Sequence, residues 1–552
     1  MQNTKKKLLS ISNLKKYFPV AKSSIFQRNQ LYVKANEDIT IDIYEGETIG
    51  LVGESGCGKS TFGRVILQLY DQTAGETMYY GRTLADVAPK YVAKTLLLIN
   101  FYCKKYSKKR ALADKLTAEV NNVGEDAADF FLLQKKNLAV AEAQTELAHI
   151  VKIIGGFFAI DNKKEGTVPL LKIYRENLRL VKAKEKTEKY RASIDFLSGK
   201  EPKKKKDGTV IKPEDTKRYK WLQESVGKLE TLQRQISDRM ENLKTQLKAV
   251  KEKYADNEEF NKYEAMLDDG IDLARLTYSE MRPLRRDIQI IFQDPYSSLN
   301  PRMTVGQIIE EGLTTHRFFK HGSKKMREYI LQVMRECGLQ DYMLHRYPHQ
   351  FSGGQRQRIC IARALAVQPK FVVCDECVSA LDVSIQSQII NLLQSLKEKD
   401  NLTYLFISHD LSVVKYISDK IGVMYLGNIV EYADKDAIFS DPRHPYTIAL
   451  LSSIPTTDID SLEKERILLE GNIPSPIRPP SGCKFHTRCY MACDKCDRVP
   501  PPLVEVEPGH FVACHRLERK IGENGEYLFE LPKMVKKTVK QSEIKNEEEK
   551  ED

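Results

Sequence analysis

The chain lacks any apolar run of membrane-spanning length. Its most apolar windows, "TLLLINFY" at 95–102 and "IVKIIGGFFAI" at 150–160, are short and interrupted, whereas a spanning helix needs about 20 consecutive apolar residues. The opening "MQNTKKKLLSISNLKKYF" has lysines but no continuous apolar segment ahead of a small-residue cleavage site, so no secretory signal is expected. A cytosolic protein is therefore expected, with partners as its route to any membrane. Excess charge is missing from most of the chain as well. The net charge is +11, and residues 82–268 carry all of it, leaving the remainder close to neutral. Basicity confined to one segment does not make the whole protein a nucleic-acid binder. What is present is material for several domains: 552 residues, 41% hydrophobic and 30% charged. Eleven cysteines stay reduced in a cytosol, so clusters among them point to metal or redox chemistry rather than disulfides.

Ahead of the basic block, "GETIGLVGESGCGKSTFGRVILQL" reads as an apolar strand, a glycine-rich turn and an amphipathic helix. Gly53, Gly58, Lys59 and Ser60 occupy the fixed positions of G-x-x-x-x-G-K-[ST]. The glycines let successive backbone N–H groups point at one phosphate while the helix presents its positive end. Lys59 then reaches the β/γ-phosphates of ATP, and the Ser60 hydroxyl ligates Mg²⁺.

After the block come "RRDIQIIFQDPYSSLNPRMTVG", "HQFSGGQRQRICIARALAVQPKFVVCDECVSALD" and "NLTYLFISHDLSVV". Together with the phosphate loop these resemble the ATPase cassette of ABC transporters. The motifs stand in the family's order: phosphate loop, glutamine loop at Gln293, signature "FSGGQ", an apolar strand ending in Asp375 and Glu376, the D-loop "SALD" ending in Asp382, and a switch histidine, His409. The resemblance implies an α/β P-loop NTPase of the ABC type, with an antiparallel β subdomain and a helical subdomain. It implies ATP on Gly53, Ser55, Gly56, Cys57, Gly58, Lys59, Ser60 and Thr61, and Mg²⁺ on Ser60, Gln293 and Asp375. Glu376 orients or deprotonates the attacking water. His409 donates to the developing γ-phosphate charge, and Gln293 senses the metal and the membrane partner. Adenine stacks on Phe18, with Tyr17 as the neighbouring option. In the family Ser352, Gly353, Gly354 and Gln355 close on the ATP of a second cassette, so a chain with one motif set is half of an ATPase pair. Phe351 replaces the commoner leucine, and Cys377 stands where proline is usual. Cys374 and Cys377 flank the carboxylates on a buried strand and read as small hydrophobes.

The stretches "IIFQDPYSSLNPRMTVGQII", "ALDVSIQSQIINLLQ" and "DPRHPYTIALLSSIP" look like ATPase subunits of oligopeptide, dipeptide and nickel uptake systems. The continuation "PSGCKFHTRCYMACDKCDRVPPPLVEVEPGHFVACH" resembles that subfamily's C-terminal extension. Cys483, Cys489, Cys496 and Cys514 are spaced C-x5-C-x6-C-x17-C, soft ligands suited to a metal cluster. Some members carry [4Fe–4S] there; Zn²⁺ is the alternative. Cys493 stands outside this set. The implied partners are a second, different ATPase subunit, two membrane permeases and an extracellular peptide-binding protein, with no specific nucleic acid. The chain would then work at the cytoplasmic face of the cell membrane. The competing reading is a soluble ABC-type ATPase whose arm touches ribosomal RNA, but that class joins two cassettes in one chain.

Residues 82–268 read as an insertion that divides the cassette into 1–81 and 269–435, followed by the extension 436–520 and a charged tail, 521–552. Leu222, Leu229, Ile236, Leu243 and Val250 recur every seven residues, with Val226, Met240, Leu247 and Tyr254 four after four of them and Gln233 interrupting the second series. This seam predicts a coiled-coil-like helical arm. The stretch 127–155 is its candidate antiparallel partner, and "EPKKKKDGTVIKPED" has the Pro, Gly and Asp of a loop at the tip.

Overall fold

The computed structural model describes residues 5–22, 30–124, 129–198, 216–319, 322–454 and 467–517, with short pieces at 203–204, 210–211, 214, 519–521 and 527–529. The apolar runs around the motifs become neighbouring parallel strands, in the order Lys420–Tyr425, Thr48–Val52, Thr403–Ile407, Phe371–Asp375 and Ile288–Ile291. Every residue of Thr48–Val52, Phe371–Asp375 and Thr403–Ile407 is buried. Continuous apolar sequence is what a parallel strand covered on both faces requires. The phosphate-loop helix, Lys59–Ile66, lies so close to this sheet that a Cβ on Gly63 would come 2.9 Å from Val373 and 3.0 Å from Ile407. A second, antiparallel sheet has the order Tyr32–Tyr44, Lys7–Pro19, Ala74–Tyr79, Ile271–Asp272. The helices Val305–Thr315, Lys324–Glu336 and Gly353–Leu365 pack through Ile308, Leu313, Ile330, Met334 and Ile359.

The C-terminal extension shares the catalytic sheet. Asn428–Asp434 runs antiparallel to Lys420–Tyr425, and His510–Val512 and Val504–Glu507 continue the sheet beyond it. Glu431, fully buried, ties the join. Its carboxylate accepts from the Arg443 N–H at 2.7 Å, the His444 N–H at 3.0 Å and His510 Nε2 at 2.8 Å. A carboxylate taken out of water is tolerated only with such partners.

The basic segment leaves the antiparallel sheet after Tyr79 and returns at Ile271, and these two residues pair directly. Among the described residues its four long helices form two pairs. Ile99–Val123 packs on Phe130–Ile154 through Ala113, Ala139 and Ala143, with Lys109 bridging Glu142 and Glu146 at 3.1 Å. Lys164–Ser198 packs on Lys217–Glu252, and the links Glu165–Tyr254, Thr187–Gln233 and Arg191–Glu230 run in opposite senses, making the pair antiparallel. The expected partner of the heptad helix, 127–155, is therefore corrected to Lys164–Ser198: the alanine stripe of Phe130–Ile154 allows a closer neighbour and is already used. Every residue of the two heptad series is buried or half-buried. Gln233, the interruption, donates to the buried Thr187 hydroxyl at 2.8 Å, so a polar pair replaces an apolar one at that level. Of the lysine cluster, Lys203–Lys204 pairs with Val210–Ile211, while Lys205 and Lys206 lie outside the described residues, as does nearly all of 521–552.

The root of the arm is fixed to the cassette. Lys152 lies 2.9 Å from buried Glu76, His149 Nε2 lies 3.3 Å from buried Asp272, and Thr145 accepts from the Gly75 N–H at 3.0 Å. Arg82, the first residue of the expected insertion, grips buried Asp287 of the cassette with its guanidinium at 2.6 and 2.8 Å. Because Tyr79 and Ile271 are already neighbours, a short Gly/Ser linker in place of residues 83–268 should leave ATP affinity unchanged in a nucleotide titration. The melting temperature should fall by about 5 °C or more, since Glu76 and Asp272 lose Lys152 and His149. A folded deletion protein that cannot bind ATP would put the arm inside the catalytic core.

Candidate active site

The phosphate loop is shaped by two glycines that nothing else can replace. Gly53 and Gly58 have φ of 146° and 103°, and a Cβ there would lie 2.2 Å from the Met424 carbonyl oxygen and 2.1 Å from that of Ala35. Both the backbone conformation and the close approach exclude a side chain. Gly58 opens the helix Lys59–Ile66 with no side-chain cap, so the first-turn N–H groups remain available to an anion. Lys59 is buried, its ammonium 2.7 Å from the Gly53 carbonyl oxygen and 3.0 Å from that of Glu54. Ser55 and Gly56 are exposed, Ser60 and Thr61 half-buried, and the Cys57 thiol is inside.

The next parts stand at the ends of adjacent parallel strands, where ligands of such sheets bind. Asp375 closes Phe371–Asp375 with 1% of its surface exposed. One carboxylate oxygen lies 3.2 Å from Arg64 Nη2, and the other is buried with no partner. That orphaned oxygen fits the donor set of a Mg²⁺ shell. Glu376 has φ of 48°, a strained conformation for a non-glycine residue, stabilised by its N–H donating to the Ile407 carbonyl at 3.0 Å. The turn aims its side chain at the neighbouring strand ends. Gln293 Nε2 donates to Glu376 Oε2 at 2.8 Å, and His409 Nδ1 lies 3.9 Å from the same oxygen. Gln293, Glu376 and His409 are thus brought together from three segments. Cys374 and Cys377, with 0% and 2% exposure, sit in the core beneath them.

The structure separates the two adenine candidates. Tyr17 is buried and its hydroxyl donates to Glu37 at 2.6 Å, leaving no free face. Phe18 is half-buried, edge-on to Tyr70 at 5.5 Å, with Lys16 Nζ 4.6 Å from its ring centre. The signature is not brought to the phosphate loop. Ser352 and Gln355 form a reciprocal cap on the helix Gly353–Leu365, and Gly353 and Gly354 form its first turn. Among the described residues no hydrogen bond or ion pair joins 352–355 to 53–61. Asp382 caps Val383–Asp400, accepting from the Ile385 N–H at 2.9 Å, and that bond holds its carboxyl below the usual range.

Several functional neighbours are invisible to motif reading because they join positions hundreds of residues apart. Arg64 meets Asp375. The Tyr446 hydroxyl, from the "HPY" stretch, accepts from the Glu54 N–H of the phosphate loop at 2.9 Å. Cys493, set aside on spacing, has its sulfur 3.4 Å from that of Cys496. Cys483 and Cys496 are joined by a 2.7 Å backbone bond. Burial pushes the Cys489 thiol up to about 12 and those of Cys496 and Cys514 up to about 11, neighbouring cysteines adding to each shift.

His444 shows how tightly Tyr446 is seated. It is buried, and its Nδ1 accepts from the Tyr446 N–H at 3.1 Å. Burial lowers its pKa from 6.5 to about 4, against the raising effect of Glu431. The unfolded chain therefore binds the proton first. The contribution to stability is complete above pH 6.5 and is lost as pH falls toward 4, amounting to about 3 kcal/mol. Melting curves across that window should show a steeper loss of stability for the wild type than for His444→Asn; parallel curves would remove His444 from this account.

The ABC transporter family profile matches residues 36–265 and 245–379, and the profile described as "Oligopeptide/dipeptide transporter, C-terminal region" matches 430–496. The oligopeptide transport ATP-binding protein AppF of Bacillus subtilis (strain 168) is 51% identical over 248 residues, 45% of this chain and 75% of that protein. The putative oligopeptide transport ATP-binding protein YkfD of the same organism is 53% identical over 248 residues, with the same coverage. A putative peptide import ATP-binding protein of Brucella ovis is 54% identical over 249 residues, 45% of this chain and 77% of that protein. With its phosphate loop, paired carboxylates and C-terminal region in one sheet, this chain belongs to the ABC transporter ATP-binding proteins that carry the oligopeptide/dipeptide transporter C-terminal region.

Proposed function

We propose that the chain is the ATP-hydrolysing subunit of an importer for peptides, bound peripherally to membrane permeases that receive solute from a binding protein. The observation that carries the catalytic reading is the convergence of Gln293 and His409 on Glu376, one residue beyond the orphaned carboxylate oxygen of Asp375. Phosphates rest on the N–H groups of 53–61, Lys59 pairs with the β/γ-phosphates, and adenine stacks on Phe18. Ser60, Gln293 and Asp375 would hold Mg²⁺, which would supply positive charge to offset that of the phosphates. Glu376 accepts the proton of the attacking water, and His409 donates to the γ-phosphate oxygen. The names of the relatives and the match at 430–496 support peptide import over a soluble ATPase with an RNA-contacting arm. Among the described residues no helix is long and apolar enough to cross a membrane.

The signature 352–355, which among the described residues makes no hydrogen bond or ion pair to its own phosphate loop, completes the site of a second cassette, and Asp382 lies at that contact. We take the partner to be a different subunit and the assembly to sit on the cytoplasmic face. The helix pair Lys164–Ser198 and Lys217–Glu252 is a coiled-coil-like arm that serves assembly rather than ATP chemistry.

The cysteines of the extension hold a metal centre. Four soft thiolates, Cys483, Cys489, Cys496 and Cys514, with Cys493 adjacent, suit a [4Fe–4S] cluster, with Zn²⁺ as the alternative.

Glu376→Gln in the assembled complex should lower turnover by about 10²-fold or more while ATP binding persists, because the amide cannot accept the water's proton. Undiminished turnover would remove Glu376 from that role. Protein purified without oxygen should contain iron and absorb in the visible range; stoichiometric zinc, or neither metal, would overturn the cluster assignment.

A further inference from the structure

Two basic side chains leave the short turn between Cys483 and Cys489 and end in the supports of the phosphate loop. Lys484 Nζ lies 2.7 Å from the Leu426 carbonyl oxygen and 3.0 Å from Glu37 Oε2. The next residue, Gly427, donates to the Cys57 carbonyl of the loop at 2.9 Å and accepts from the Glu37 N–H at 2.8 Å. Arg488 reaches the loop itself. Its Nη1 and Nη2 lie 2.7 and 3.0 Å from the two carboxylate oxygens of Glu54, with 7% of the arginine side chain and 24% of the glutamate side chain exposed. A planar guanidinium gripping both oxygens fixes direction as well as distance.

Glu54 stands at the bend between strand and helix, and all its polar groups are engaged. Its N–H donates to Tyr446, its carbonyl accepts from Lys59 and from the Cys57 N–H, and its carboxylate is held by Arg488. We infer that Arg488 is a positioning residue for nucleotide binding: by gripping Glu54 it holds the phosphate loop in its anion-accepting shape and makes ATP affinity depend on the cysteine-rich turn. The inference rests on the loop being the ATP site. Two physical effects operate. A loop already fixed in its binding shape loses less freedom when phosphate arrives. Glu54 would otherwise present an uncompensated negative charge beside a polyanion, and Arg488 neutralises it. Neither effect places Arg488 on the transferred phosphoryl group, so its removal acts on affinity rather than on the chemical step.

The test uses the full chain, titrated well below its melting temperature with ATP, ADP and adenosine. Arg488→Ala should weaken ATP and ADP by about tenfold and leave adenosine unchanged, because only the phosphate-binding segment is loosened. Arg488→Lys should recover part of the loss, one bond replacing two. Adding Glu54→Gln to Arg488→Ala should also recover part, since the orphaned charge is gone. In the assembled complex the Arg488→Ala defect should appear in KM more than in kcat. Cys489→Ser should weaken ATP in the same direction, and a folded Cys489→Ser protein with wild-type affinity would overturn the link to the turn. Folded Arg488→Ala with an ATP Kd within twofold of the wild type, or an equal loss for adenosine, would overturn the clamp. Lys59→Ala separates the two levels: retained ATP affinity there would overturn the phosphate-loop reading and the clamp with it.

Discussion

The seating of the phosphate loop against the Ala35 and Met424 carbonyls is the constraint on which the catalytic half depends. At Gly53 and Gly58 the chain passes closer to those carbonyls than any Cβ allows, so the loop has one path from strand to helix. That path leaves the N–H groups of the first turn of Lys59–Ile66 uncapped, which is unfavourable in an empty site and favourable beneath a phosphate. The close packing of Gly63 on Val373 and Ile407 then sets the height of this helix above the sheet. The ends of Phe371–Asp375 and Thr403–Ile407 are carried to the same edge, and the register of the parallel ladders brings the Asp375–Glu376 carboxylates and His409 to the side of the sheet where Thr48–Val52 runs into the phosphate loop.

Around that centre the protein accepts local costs. Glu376 takes a left-handed backbone conformation, Asp375 keeps a buried oxygen without a partner, and His444 is held neutral inside the core. The first two lie where a ligand and a metal would compensate them. The third belongs to the braces behind the loop, where the neutral ring serves as an acceptor for the Tyr446 N–H.

Two additions attach to this engine in different ways. The C-terminal extension continues the catalytic sheet at its edge and sends Arg488 to the phosphate loop and Lys484 to the Leu426 carbonyl and Glu37 that support it, so it is mechanically coupled to that loop. The arm enters and leaves through the directly paired residues Tyr79 and Ile271, which a turn alone would connect. Its root is nonetheless fastened by the Lys152–Glu76 ion pair and by the approach of His149 to buried Asp272, fixing the direction in which its long helices leave the cassette.

Local sequence determined whatever depends on contiguous residues. The glycine spacing wrote the phosphate loop, continuous apolar runs wrote the buried parallel strands ending in Asp375 and before His409, and the seven-residue repeat wrote the face of Lys217–Glu252 that is covered. Each is a property of backbone conformation or periodicity that a short window already contains. Tertiary structure alone decided the pairings. Heptad spacing describes one face of a helix without naming its neighbour, which is why 127–155 is a plausible partner in sequence and Lys164–Ser198 the actual one. Tyr17 and Phe18 are equivalent aromatics until Glu37 takes the Tyr17 hydroxyl. Arg64 on Asp375, Tyr446 and Arg488 on Glu54, and Cys493 beside Cys496 arise where the sheet order brings distant segments together. A linear pattern records which residues can form such bonds, and only the folded chain sets which of them come within reach.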